Sequence, residues 1–311
     1  MSAMMSTRRS AKSSASGGWL GTGISAAIAL MPLCANASVV DTFYERAVMT
    51  AADERCRLFS PEISSALAAG QAQARGAALR SGVASEILDN TEARARAAAF
   101  SQACNSRDIT LAANRVKDAF EPYSRQAKEV YPGEVAAWTA EKYPASKTPL
   151  WALAQPVAFG ADRMTFGLAS QNGKNALLAV VDFADGAQPY TARLIVRDPA
   201  RARQPYLDKR QADGRGRLPL AARMAPRFAT RTYLAEARGG SDPKLAPGAV
   251  KDAIAFRFPA GAASAIAGLD PRESIAVEFA FQGPSGDYVR TAYVEVGDFA
   301  AGRAFLTLAQ R

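Results

Sequence analysis

Ile109, Ala113, Val116 and Phe120 return at intervals of three and four residues, the spacing that lines apolar side chains along one face of a helix. Similar patterning runs through most of the chain before residue 148. Thr42-x-x-Glu45 has the form of a capping box and predicts a helix reaching about Leu58. Ser60-Pro61 predicts the next start, with proline at a first helical position where its missing N–H costs nothing, and Ser81-Gly82 predicts the end. Asp89-x-x-Glu92 is a further capping box, ahead of the alanine- and arginine-rich "TEARARAAAFSQAC", and Pro122 weakens the fourth helical pattern. Four helices with short connections predict an antiparallel bundle.

Beyond "EKYPASKTPLW" the period changes to that of strands. "WALAQPV", "RMTFGLAS", "NALLAVVDF", "TARLIVRD", "RTYLAEAR", "DAIAFRF", "SIAVEFAF" and "DYVRTAYVEV" are short apolar or alternating runs bounded by Gly, Pro, Asp and Asn. The last two, on either side of "QGPSGD", predict a hairpin with a loop of several residues. In the final run Tyr288, Arg290, Ala292, Val294 and Val296 share one face, and Val289, Thr291, Tyr293 and Glu295 the other. Apolar groups on both faces predict a strand covered on both sides or lying near a domain contact. The expected fold class is α+β: a helical domain over 38–148, then a mainly antiparallel β-sandwich or small barrel with short helices over 149–311.

The stretch "AIAFRFPAGAASAIAGLDPRESIAVEFAFQGPSGDYVRTAYVEVGDFAAGRAFLTL" resembles the end of invasion-associated locus B proteins, small exported bacterial β-proteins. The shared features are a strand, a short helix, a hairpin and a helix start at Phe299-Ala300-Ala301. The resemblance covers about the last sixty residues well and extends weakly back to Trp151. It implies export and a β-fold, and carries no biochemical activity with it.

The first residues change the picture of where the chain works. Arg8, Arg9 and Lys12 precede the uncharged run "GGWLGTGISAAIALMPLCANA", which ends in the small residues Ala35 and Ala37. A basic head, an apolar middle and a small-x-small end predict a signal peptide over 1–37, cut before Ser38, and hence a periplasmic protein. Lipid attachment at Cys34 requires a small residue before it, and Leu33 stands there. The rival is an uncleaved anchor, since the uncharged run is long enough for a bilayer of roughly 30 Å; Pro32 and several glycines weigh against it.

Cleavage leaves two cysteines, Cys56 and Cys104, and an even count in an exported chain favours a disulfide over two buried free thiols. Helix spacing puts Cys56 on the face of Met49 and Ala52, and Cys104 on that of Phe100, so both thiols are expected to face inward. No C-x-x-C is present, which leaves the link structural rather than catalytic.

The chain has no histidine. That removes histidine-based triads, histidine metal sites and the usual near-neutral proton shuttle. No zinc ligand set, EF-hand, Walker A or G-x-G-x-x-G stretch is present, so no metal or cofactor is expected. Ser241-x-x-Lys244 has the Ser–Lys spacing of penicillin-recognising enzymes, but Pro243 and Pro247 make it a loop and no S-D-N or K-T-G accompanies it. Asp182, Asp185, Glu236, Asp252 and Glu278 are the carboxylates from which a glycosidase pair could be drawn, and no spacing selects two of them.

Charge is uneven. From Ser38 to Thr148 there are 14 basic and 14 acidic residues; from Pro149 to Arg311 there are 21 and 15. The stretch Arg193–Arg231 alone holds eleven basic and three acidic residues. Within it Arg201, Arg203, Lys209, Arg210, Arg215 and Arg217 lie in a Pro- and Gly-bearing connection that reads either as a solvated loop or as a binding patch for phosphate or carboxylate. The expected partners are an anionic lipid surface, lipopolysaccharide or an acidic protein, with at most peripheral membrane contact. Tyr206 is the one aromatic among these cations, which argues against a nucleic-acid platform. The expectation is an exported, non-enzymatic envelope protein used for binding or assembly; the alternative is a histidine-free hydrolase of glycan or peptide working through paired carboxylates.

Overall fold

A computed structural model describes residues 33–143, 150–171, 174–207, 218–240 and 253–306. Residues 1–32, most of the predicted signal peptide, four of the six predicted loop cations (Lys209, Arg210, Arg215 and Arg217), Ser241, Lys244 and Asp252 lie outside them. The fold is α+β. Helices α1 (Leu33–Cys56), α2 (Pro61–Arg80), α3 (Ser85–Ser101) and α4 (Arg107–Ser124) come first. Strands β1 (Lys128–Tyr131), β2 (Trp138–Tyr143), β3 (Leu150–Phe159), β4 (Asp162–Gln171), β5 (Lys174–Asp182) and β6 (Thr191–Arg197) follow. Then come β7 (Thr230–Leu234), β8 (Ala237–Gly240), β9 (Ile254–Phe258), α5 (Ala260–Ala267), β10 (Ser274–Gly283), β11 (Gly286–Glu295) and α6 (Phe299–Leu306).

The punctuation at Ser60-Pro61 and Ser81-Gly82 marks the ends of α2, and Gly82 takes the left-handed conformation (φ 91°) that follows a helix cheaply. Both capping boxes were misplaced. Thr42 lies inside α1 and Asp89 inside α3, whose first residue is Ser85. Asp89 instead pairs with Arg75 of α2 at 2.7 Å.

All strand pairs are antiparallel, in a seven-stranded sheet ordered β1-β2-β3-β4-β5-β9-β8 and a four-stranded sheet ordered β11-β10-β6-β7. Their inner faces share one apolar core, which makes a sandwich. Phe279 of β10 meets Phe159 of β3 at 6.0 Å and Phe256 of β9 at 5.6 Å between ring centroids. The run "RTYLAEAR" divides: β7 joins the small sheet and β8 the large one, so the chain changes sheets at Ala235-Glu236. The hairpin loop is tighter than expected, with Gly283 paired to Gly286 and only Pro284 and Ser285 between. Strand β11 is covered on both faces only at its end; Tyr288 and Val289 are exposed, whereas Ala292, Val294 and Glu295 are buried.

Residue 148 does not mark the start of the β-structure. β1 and β2 precede it and pair into the large sheet, and Leu33–Arg311 forms one compact unit. The physical reason is α6, which packs on α2 on one side and on β1, β2 and β3 on the other. Phe305 of α6 touches Tyr123 of α4 and Tyr131 of β1, and Phe299 lies 5.0 Å from Trp138. Arg80 at the end of α2 reaches Asp298 at 2.6 Å, and Gly76 leaves no room for a methyl group beside the same carboxylate.

The disulfide joins Cys56 to Cys104 with Cα atoms 5.6 Å apart. Its setting differs from the inward-facing one expected. Cys104 is exposed in the α3–α4 connection, and Phe100 is 52 % exposed beneath the Arg55 guanidinium. Helix α3 ends at Ser101, so the helical face that related Phe100 to Cys104 stops short of the cysteine. Among the described residues no helix is long and apolar enough to cross a membrane.

Candidate functional site: the arginine-bearing loop

Strand β6 delivers two residues that shape everything after it. Arg197 is buried, and its guanidinium makes 2.7–3.0 Å contacts to both carboxylate oxygens of Glu273. Its remaining Nη1 donates to the carbonyls of Ala202 (2.6 Å) and Arg203 (3.1 Å), curling the chain back over the end of the strand. Burial pushes the Glu273 carboxyl above its ordinary range, while Arg197 pulls it down. Asp198 then closes the turn: its carbonyl accepts from the Arg201 and Ala202 amides, and its carboxylate pairs with Arg231 at 3.3 Å and Arg201 at 3.6 Å.

The two described loop cations point to different neighbours. Arg201 is exposed and its Nη1 donates to the Phe228 carbonyl at 3.4 Å. Arg203 lines a polar cavity of about 190 Å³ between the loop, α2, α3 and the α5–β10 connection. Arg75, Ser85, Glu86, Asp89 and Asp270 also line it. Gln204 fastens this side, accepting from Ser85 Oγ at 3.2 Å and donating to the Glu86 carboxylate. The acids are engaged already: Asp89 with Arg75, Asp270 with Arg272. That cavity is therefore a balanced charge cluster rather than a pair of free carboxylates.

Sequence reasoning missed the aromatic component. Phe228, in a short 3-10 turn at Arg227–Ala229, is 71 % exposed and sits edge-on to Tyr206 at 6.3 Å. Arg227 and Arg231 flank it in sequence, and both are exposed. The signal was present in "MAPRFATR", an aromatic between two arginines after a proline, but strand patterning drew attention to the following run.

Two arginines of the basic stretch, Arg197 and Arg223, are buried rather than surface charges, while the half-exposed Arg193 pairs with Glu278. Arg223 lies 3.0 Å from the Glu134 carboxylate and 3.6 Å from that of Glu295, with Nε donating to the Leu218 carbonyl. Glu295, also wholly buried, accepts from the backbone N–H groups of Glu134 (2.7 Å), Val135 (2.8 Å) and Ala136 (2.8 Å). From the facing sheet, Gln155 of β3 exchanges hydrogen bonds with the Glu295 backbone, tying β3 to β11. This interior network fixes the base of the loop and subtracts from its apparent charge.

The carboxylates considered for hydrolysis are dispersed. Asp185 is bound by Arg290, which holds its carboxyl down at about 2, and Glu278 by Arg193. Asp182 ends β5, and Glu236 lies between β7 and β8. None of these lines the cavity beside Arg203. Among the described residues no three His, Cys, Asp or Glu side chains gather as a metal-binding group.

Comparison with protein-family models, curated proteins and solved structures finds no match for this chain.

Proposed function

We propose that the protein is exported, is processed before Ser38, and acts without catalysis by docking on an anionic lipid surface through the region around Arg201, Arg203, Tyr206, Arg227, Phe228 and Arg231. The observation that carries this reading is the exposed Phe228–Tyr206 pair set among arginines. Aromatic rings favour the headgroup level of a bilayer, and each nearby cation adds about 1 kcal/mol on an anionic leaflet. The Cys56–Cys104 link fits an oxidising compartment. The predicted cations Lys209, Arg210, Arg215 and Arg217 extend the same surface by sequence.

The test is co-sedimentation with phosphatidylcholine vesicles, with and without phosphatidylglycerol. Binding is expected on the anionic vesicles only. Arg203→Gln with Arg227→Gln is expected to weaken it about thirtyfold, from about 2 kcal/mol lost with two cations. Phe228→Ser is expected to weaken it further. Equal binding to neutral vesicles, or none to anionic ones at low salt, rejects the proposal; an acidic protein partner would then be the remaining source of the complementary charge.

A further inference from the structure

Within the helical bundle, α1 packs mainly on α2 and α3, whereas α4 packs on α2. The disulfide ties the end of α1 to the segment just before α4, and Ala51, Ala52 and Met49 share buried clusters with Ile109 and Ala113 at that end, but elsewhere the two helices make few contacts with each other. The gap is a groove with a cavity volume of about 420 Å³. Leu67 of α2 and Met49 of α1, both buried, form its base; Val48 and Val116 form its sides and Phe120 one end. The α4 wall is low because Ala112 and Ala119 stand where larger side chains would fill the space. Protein interiors tolerate few voids larger than a water molecule, and ligand cavities span roughly 300–1,000 Å³.

The rim is cationic. Arg46 of α1 is half-buried, donates from Nη1 to the Gly70 carbonyl, and lies 6.0 Å from the Phe120 ring centroid. Burial lowers its pKa, as expected for a charge short of solvent. Arg115 of α4 is exposed on the opposite lip. Glu45 is the single acid among the lining residues, so the rim keeps a positive excess. One turn of a helix roughly 10 Å across and 5.4 Å long would already take up the whole volume, so a peptide helix is a poor occupant.

We propose that this groove binds a single-chain anionic amphiphile, its alkyl chain against Leu67, Met49 and Val116 and its acidic head on Arg46 and Arg115. This site is separate from the arginine-bearing loop and does not depend on the surface-docking reading.

The experiment titrates the full chain calorimetrically with dodecanoate below its micelle concentration, with dodecyltrimethylammonium as the cationic comparison. Saturable one-to-one binding of dodecanoate is expected, at least tenfold tighter than the cation. Ala119→Trp, at an exposed α4 position facing the groove, is expected to weaken it at least tenfold, as is Arg115→Glu, which leaves the apolar floor untouched. Absence of saturable binding overturns the proposal. So does an affinity unchanged in Ala119→Trp, which would place the ligand elsewhere on the chain, or equal affinity for the two head-group charges.

Discussion

Replacing Glu295 by Gln tests whether the buried charges hold the base of the arginine-bearing loop. The wild-type carboxylate accepts three backbone N–H bonds at 2.7–2.8 Å and lies 3.6 Å from the Arg223 guanidinium, and both of these side chains are shut off from solvent. The amide keeps only one acceptor oxygen. Its best orientation keeps the bonds from Val135 and Ala136 and turns the NH2 group onto the Glu134 N–H, donor against donor. One bond to a charged acceptor is worth about 1.5–3 kcal/mol, and removing one partner of a buried ion pair costs about 3–5 kcal/mol. Glu134 at 3.0 Å still serves Arg223, which places the expected loss at about 3–4 kcal/mol of a net stability of roughly 5–15 kcal/mol. Urea unfolding followed by circular dichroism at pH 7 measures it, with Glu54→Gln as the control. Glu54 pairs with Arg96 where both side chains are more than half exposed, so that change is expected to cost less than about 1 kcal/mol. An equal, small loss in both variants would refute the reasoning, because the interior network would then be no stronger than a solvated ion pair.

Three further outcomes follow from the same structure. Cys56→Ser opens a loop of 49 residues, for which chain entropy gives about 4 kcal/mol; the wild type in reductant should match the variant, and a difference under about 1 kcal/mol would contradict it. Gly76→Ala puts a Cβ 2.4 Å from Asp298 Oδ1, so despite a helix-propensity gain of about 1 kcal/mol it is expected to lower the unfolding midpoint; a raised midpoint would show that α6 yields easily. Lys142, over the Phe305 ring, is pushed down to about 8 by burial, below its ordinary 10.5. Between those values the unfolded chain holds the extra proton, so this residue's contribution to stability rises with pH from about 8 toward 10, and Lys142→Met should remove that rise in unfolding midpoints.

What the sequence made legible depended on short-range chemistry. Ser60-Pro61 and Ser81-Gly82 were readable because proline and glycine restrict or free the backbone wherever they stand. The strands of the sandwich announced themselves by alternation, and the two cysteines that remain beyond the predicted signal peptide pointed to the Cys56–Cys104 link. The β1–β2 hairpin escaped because its strands are only four and six residues long, and their apolar content rests mainly on Tyr131 and Trp138. The two capping boxes misled because Ser/Thr/Asp-x-x-Glu is equally at home inside a helix that starts earlier for other reasons. Within the basic stretch, Arg197 and Arg223 could not be told from Arg201. Their partners Glu273, Glu134 and Glu295 come from strands and loops distant in sequence, and only the packed fold brings them together. The groove between α1 and α4 was equally hidden, since it arises from what Ala112 and Ala119 fail to fill.

Vesicle affinity measured against sodium chloride concentration bears most directly on the surface-docking claim. On phosphatidylglycerol-containing vesicles the protein is expected to lose at least tenfold in affinity between 50 and 300 mM salt, as shortening of the Debye length screens the arginines. Changing Arg201, Arg203, Lys209, Arg210, Arg215 and Arg217 together to Gln should leave only the residual, salt-insensitive part. Binding that ignores salt, or that survives those six substitutions at full strength, would contradict the account.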